Sequence, residues 1–202
     1  MPEPLPPSFY ERDTLLVARE LIGCEIVHED VRVRITEVEA YCFPGDSANH
    51  ARAGRTARNA PMWGPPGRAY VYLCYGLHAM LNLVTGPEGH PAAVLIRAAE
   101  PVAGLERIVE RRKRQGPEML AGPGRVGQAL GLTTAHSGQP LQGDLAVYAR
   151  AHTPLLLAGP RVGIDYADER DRLAPWRFAA AGTRRSEEHT SELQSPCNLV
   201  CR

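Results

Sequence analysis

Glu39 and Tyr41 stand two positions apart in VEAYCFPGDSANH (residues 38–50), and His50 follows across a loop. A carboxylate, a phenol and an imidazole this close supply a group to take a proton from water, a flat ring to lie against a ligand, and a hydrogen-bonding partner. The preceding VRVRITE alternates as a half-buried strand does. Counted straight through, Val31, Val33, Ile35, Glu37, Glu39 and Tyr41 share one face, and Arg32, Arg34 and Thr36 the other. An apolar face that runs into Glu39 needs a reason, because a carboxylate there must be paired, protonated or used.

Further chemistry-bearing residues gather downstream. Four of the seven tyrosines, Tyr41, Tyr70, Tyr72 and Tyr75, crowd into residues 41–75. Most strand tyrosines simply pack, but Tyr75 precedes Gly76 at a hairpin tip, where an exposed ring needs something to insert into. Flat rings near arginines suit a nucleobase, since every base offers a π-face. His50 lies in a loop (42–67) too long and too rich in Gly and Arg for plain connection, with Met62 and Trp63 as its apolar members. His50, Cys42, Cys74 and His78 match no familiar metal-ligand spacing. GPGRVG (122–127) formally satisfies GxGxxG, but no strand precedes it. It reads better as a helix start whose N–H groups face a phosphate or a carbonyl oxygen.

The elements that must position these groups follow from pattern. DTLLVARELIG (13–23) is a helix capped by Asp13 and stopped by Gly23. Strands are expected at 25–28, 31–41, 69–75, 80–85 and 92–98, with two more near 145–149 and 161–165. Residues 104–116 form an amphipathic helix with Leu105, Ile108 and Val109 inward, and 124–132 a second, shorter one. Strands cluster before helices instead of alternating with them, which favours α+β.

The 202 residues suffice for one domain with a substantial core, and 44% hydrophobic with 23% charged residues is a globular composition. No apolar run is long enough to span a membrane, and the acidic, proline-rich start is unlike a signal peptide. Five cysteines without a CxxC pair read as reduced thiols, hence a cytoplasmic protein. Net charge is zero, yet from Glu39 to Arg97 the basic residues are Arg52, Arg55, Arg58, Arg68 and Arg97, against only Asp46 and Glu88 after Glu39. That local excess is either a solvated face or a set of phosphate contacts. Lys113 is the only lysine beside 22 arginines. From about Arg185 the composition breaks: RSEEHTSELQSPCNLVCR resembles the conceptual translation of a sequencing adaptor, a genuine disordered tail being the alternative.

TEVEAY, DSANHARAGRTARN, MWGPPGRAYVYLCYGLHAMLN and AAVLIRAAEP, in that order, resemble the alkyladenine (3-methyladenine) DNA glycosylases. GPGRVGQALGL, RVGID and PWRF continue the resemblance across nearly all of residues 8–183. It implies cleavage of the N-glycosidic bond of alkylated or deaminated purines in duplex DNA, with no cofactor or metal. By position it makes Glu39 the acid that activates water and Arg97 a partner that places it. Tyr41, His50 and Tyr72 become the walls around a flipped base, and Asn82 the group that crowds the 2-amino group of normal guanine. Tyr75 becomes the side chain that fills the gap in the duplex, with Leu77, His78, Arg55, Arg58, Gly124 and Arg125 as further DNA contacts. The expected fold is α+β, a single domain over residues 1–184 with a curved, mainly antiparallel β-sheet flanked by helices, and a non-native-looking disordered tail at 185–202. The expected protein is a monomer associated with the nucleoid.

Other readings differ in what they require. A proline-nucleophile glycosylase would need more than MPEPLP and a zinc-binding cysteine quartet, and a lysine nucleophile would have to be Lys113 on a charged helix face. A non-catalytic damage-binding module would share the stacking residues but has little reason to keep Glu39 beside a negatively charged backbone. A nucleotide-dependent oxidoreductase would rest on GxGxxG alone.

Overall fold

The computed structural model describes residues 3–182, so the segment 185–202 and its boundary lie outside the described residues. The chain runs α1 (Pro7–Tyr10), α2 (Thr14–Leu21), β1 (Glu25–His28), β2 (Val31–Tyr41), β3 (Ala69–Cys74), β4 (His78–Thr85) and β5 (Ala92–Ala103). It continues through α3 (Leu105–Arg112), α4 (Pro123–Ala129), β6 (Leu145–Tyr148), β7 (Leu156–Gly159), α5 (Glu169–Leu173) and β8 (Arg177–Ala180). Every ladder is antiparallel, in the order β3-β4-β5-β2-β1-β6, with β8 joining β2 to β7. The fold is α+β. Asp13 caps α2 as expected, its carboxylate accepting the Leu16 N–H at 3.0 Å.

Three local expectations are corrected. Residues 161–165 form a turn, not a strand, and the strand is β7, a few residues earlier. Leu105 is 52% exposed; only Ile108, with Val109 behind it, anchors α3. The face count along β2 also changes partway. Ile35 stands opposite Ala99 and Glu37 opposite Ala98, then Val38 opposite Ile96. Thr36 therefore has no opposite number on β5, and Arg97 has none on β2: each strand carries a bulge, one beside the other.

That pair of bulges decides what faces what. Before it, Val31, Val33 and Ile35 enter the main core; after it, Val38 and Ala40 do. On β5, Val94 and Ile96 face the core, and after the bulge Ala99 does. The alternation is thus reset, and Glu37, Glu39, Tyr41 and Arg97 turn to the opposite face of the sheet. On β3 and β4 that opposite face carries Tyr70, Tyr72, Met80 and Asn82. The core side is closed by α2, α3 and α4. Contact with α4 is especially tight, since a Cβ on Gly127 would lie 2.0 Å from the Ala79 carbonyl oxygen. Among the described residues no helix is long and apolar enough to cross a membrane.

Candidate active site

The face turned away from the core borders a cavity of about 510 Å³. Tyr41, His50, Tyr72, Asn82, Arg97, Arg58 and Tyr75, far apart in sequence, all line it. Tyr70, Tyr166, Met62 and the turn 162–164 also line it, and sequence reasoning does not single them out as site residues. Tyr70 is legible as the alternate partner of Tyr72 on one strand. Tyr166 has no such signal, because the turn that carries it has the composition of a strand.

Glu39 is fully buried, and its carboxylate is held from three sides. Oε1 accepts the Val162 N–H at 2.7 Å and lies 3.3 Å from an Arg97 guanidinium nitrogen. Oε2 accepts the Tyr41 hydroxyl at 3.0 Å. Glu39 itself does not border the cavity: Tyr41 and Arg97 line it, and Glu39 sits one layer beneath them. Burial first, then the charge of Glu39, pushes the Tyr41 phenol well above its ordinary value, so it stays a donor. Arg97 also donates to Glu37 at 3.1 Å, and Arg177 lies 3.7 Å from the same Glu37 oxygen. Two buried arginines thus alternate with two buried carboxylates, which is how charges survive away from water.

The long loop after β2 is fastened by polar side chains. Asn49 donates to the Cys42 and Pro91 carbonyls at 2.7 and 2.9 Å, and Asn59 donates to His50 O and Gly54 O at 3.1 and 2.9 Å. This fixes the backbone around His50, whose Nδ1 lies 3.2 Å from the Tyr70 hydroxyl. Burial, then the charges of Arg58 and Arg52, holds the His50 imidazole below its ordinary value. Asp46 accepts the Cys42 and Ala48 N–H groups and pairs with Arg161, whose guanidinium lies between Tyr41 and Trp176 at 4.7 and 4.9 Å from the ring centres. Asn82 gives its amide nitrogen to Tyr70 O at 3.1 Å, so its carbonyl is the part free to meet a ligand. Burial pushes the Cys42 thiol up to about 12, which leaves it a poor nucleophile.

Other expected contacts lie at the rim of the cavity or outside it. Tyr75 and Leu77, 92% and 78% exposed, form the β3–β4 hairpin tip beside it. Tyr75 and Gly76 have consecutive positive φ values of 51° and 70°, the mirror-image turn that glycine tolerates. Leu77, His78 and Gly124 border a neighbouring groove instead. Gly124 is packed on His78, where a Cβ would come within 2.8 Å, and the Gly122 N–H bonds the Arg97 carbonyl at 3.0 Å. Arg125 bonds the Glu118 carbonyl at 3.0 Å, and Arg55 is exposed on the long loop.

Rings on several walls and a buried carboxylate below them define a site for one flat aromatic ligand. The family model for methylpurine-DNA glycosylase matches residues 8–184. A Nitrosococcus oceani protein assigned as a 3-methyladenine DNA glycosylase is 57% identical over 182 residues, 89% of this chain and 90% of that protein. The DNA-3-methyladenine glycosylase of Arabidopsis thaliana is 52% identical over 184 residues, 89% of this chain and 72% of the plant protein. A Methanocella arvoryzae protein of the same assignment is 47% identical over 182 residues, 86% of this chain and 90% of that one. The chain belongs to the methylpurine-DNA glycosylase family. It is accordingly an enzyme, a hydrolase of N-glycosyl bonds whose substrate is damaged DNA.

Proposed function

We propose that this protein draws an alkylated or deaminated purine out of duplex DNA into the aromatic cavity and hydrolyses its N-glycosidic bond with a water activated by Glu39. The observation that carries the reading is the uneven satisfaction of the carboxylate. Oε1 is taken up by Val162 N–H and Arg97, whereas among the described residues Oε2 accepts only the Tyr41 hydroxyl. An oxygen with one donor keeps a lone pair for a proton. Water at Oε2 passes a proton to Glu39 while its oxygen bonds the anomeric carbon, and the glycosidic electron pair leaves with the purine. Arg97 holds the carboxylate in register for this step.

A base cannot be attacked at its sugar while stacked, so it is extruded, at a cost of a few kcal/mol that is least for damaged pairs. Tyr41, His50 and Tyr72 clamp the everted ring, Asn82 meets its edge, and Tyr75 enters the space it vacates. Arg55 and Arg58, with Leu77, His78, Gly124 and Arg125 around the hairpin, face the DNA. Among the described residues no lysine lines the cavity, so no lysine amine there can form a Schiff base, which supports a monofunctional enzyme. Borohydride trapping of a protein–DNA adduct would count against that.

The test is Glu39→Gln on a duplex with one defined lesion. Base release is expected to fall by about 100-fold or more, the typical share of a general base, with lesion binding retained. Equal loss of release and binding would make Glu39 structural.

A further inference from the structure

Arg52 is exposed at the mouth of the cavity and held there from two sides. Its guanidinium donates to the Asn49 carbonyl at 3.3 Å and lies 5.1 Å from the centre of the Tyr166 ring. Among the described residues no carboxylate comes within ion-pair distance of it, whereas Arg161 is neutralised by Asp46 at 2.7 Å and Arg97 by Glu37 at 3.1 Å. Tyr166 is itself fixed: its hydroxyl donates to the Ala48 carbonyl at 3.1 Å, and its ring lines the cavity while 59% of the residue stays exposed. It lies four residues beyond Val162, whose N–H holds Glu39. The ring is thus a shelf at the rim, on the same turn that anchors the carboxylate.

One backbone bond and one ring contact leave most of the guanidinium donors free, and their planar fork matches two oxygens of a phosphate. Stacking on a fixed ring means that little side-chain freedom remains to be lost on binding. The charge also needs a counterpart. Burial first, then Arg58 and Arg52, disfavour protonation of His50 on the cavity wall, so the field of these arginines is felt inside. A purine alkylated at a ring nitrogen carries a fixed positive charge and would meet that field. DNA brings the missing anion: when a base is drawn into the cavity, the phosphates on either side of its sugar stay at the mouth, and one of them on Arg52 offsets the repulsion.

We propose that Arg52, laid on the Tyr166 shelf, grips a phosphate flanking the everted nucleotide and so favours damaged DNA in its extruded form. This rests on the reading that a damaged purine enters the cavity. Tyr166 acts through Arg52 and is a positioning residue.

The experiment measures dissociation constants of the Glu39→Gln protein for duplexes with one 2′-fluoro-stabilised 7-methylguanine. In two of them the phosphate 5′ or 3′ of the lesion is a neutral methylphosphonate, and a further duplex is undamaged. One of the methylphosphonates should weaken binding by about five- to twentyfold, the scale of a charge-assisted hydrogen bond partly screened by water. Adding Arg52→Gln should cost as much on the all-phosphate lesion duplex, and should bring that duplex and the methylphosphonate one within about twofold of each other, since the lost bond is the same. Arg58→Gln should leave their difference standing, and undamaged DNA should hardly feel Arg52→Gln. Tyr166→Leu should weaken lesion binding by about two- to fivefold through the freed guanidinium, an effect that Tyr166→Phe, which keeps the ring, should not show. Binding indifferent to both methylphosphonates overturns the grip without recourse to any Arg52 variant. An Arg52→Gln protein still sensitive to the same methylphosphonate, or weakened as much toward undamaged DNA, overturns it too. Tyr166→Leu without effect overturns the shelf. A Glu39→Gln protein that binds the lesion duplex no better than undamaged DNA overturns the grip together with the cavity's role.

Discussion

Arg161 grips Asp46 through two bonds, at 2.7 and 2.8 Å, across 115 residues of chain. The pair fastens the loop after β2 to the turn whose Val162 N–H holds Glu39. Asp46→Asn leaves the buried guanidinium without its counter-charge. It should cost about 3–5 kcal/mol of stability, read from urea unfolding, the scale for breaking a buried ion pair. A loss below about 1 kcal/mol would show that the pair is not what closes this side of the molecule.

Tyr75 touches little of its own protein and is 92% exposed. Tyr75→Ala should therefore leave the melting temperature nearly unchanged, as surface substitutions do. Affinity for lesion duplex should fall by about tenfold, the scale of one lost stacking platform. A protein that melts earlier but binds equally well would place the ring in the fold instead of the helix gap.

Gly127 lets α4 lie directly on β4. A methyl group there meets the Ala79 carbonyl oxygen at 2.0 Å, and neither backbone can yield that much without distortion. Gly127→Ala should destabilise by about 1–3 kcal/mol through overpacking, checked by thermal melts, although alanine is the better helix former. Stabilisation would mean that α4 slides freely.

His50 reports the charge around it. Its folded value lies below the ordinary 6.5, pushed down by burial and then by Arg58 and Arg52. As pH falls, the unfolded chain takes up this proton first. The stability linked to neutral His50 is therefore whole above about 6.5 and is lost as pH drops toward the folded value. Proton NMR should place the imidazole midpoint below 6.5 in the parent protein and higher in Arg58→Gln. A midpoint indifferent to Arg58 would remove the field.

Much of the fold is readable in the chain. β2 falls on the residues that its alternation marks, and Asp13 caps α2 where a carboxylate before an apolar period should. The family resemblance points to Tyr41, His50, Tyr72, Asn82 and Arg97, and one cavity does gather them. What escapes has physical reasons. α1, α5, β7 and β8 are four or five residues long, too short for any period to show. RVGID has the composition of a strand, but Arg161 is bound to Asp46 and the next N–H to Glu39, which leaves a turn. The bulges escape because cross-strand register is not written in either strand alone. A clue is present all the same: the apolar positions pass from odd (Val33, Ile35) to even (Val38, Ala40).

The twin bulges at Thr36 and Arg97 tie two strands to a common count. One residue added after Val38 would swing Ala40 into the ligand's space and drive Glu39 into hydrocarbon, since a slip of one exchanges the two sides of a strand. Insertions are thereby barred along this stretch. Diversification of the pocket is left to swaps of side chain at unmoving backbone positions, with the length of the loops at its mouth as the remaining variable.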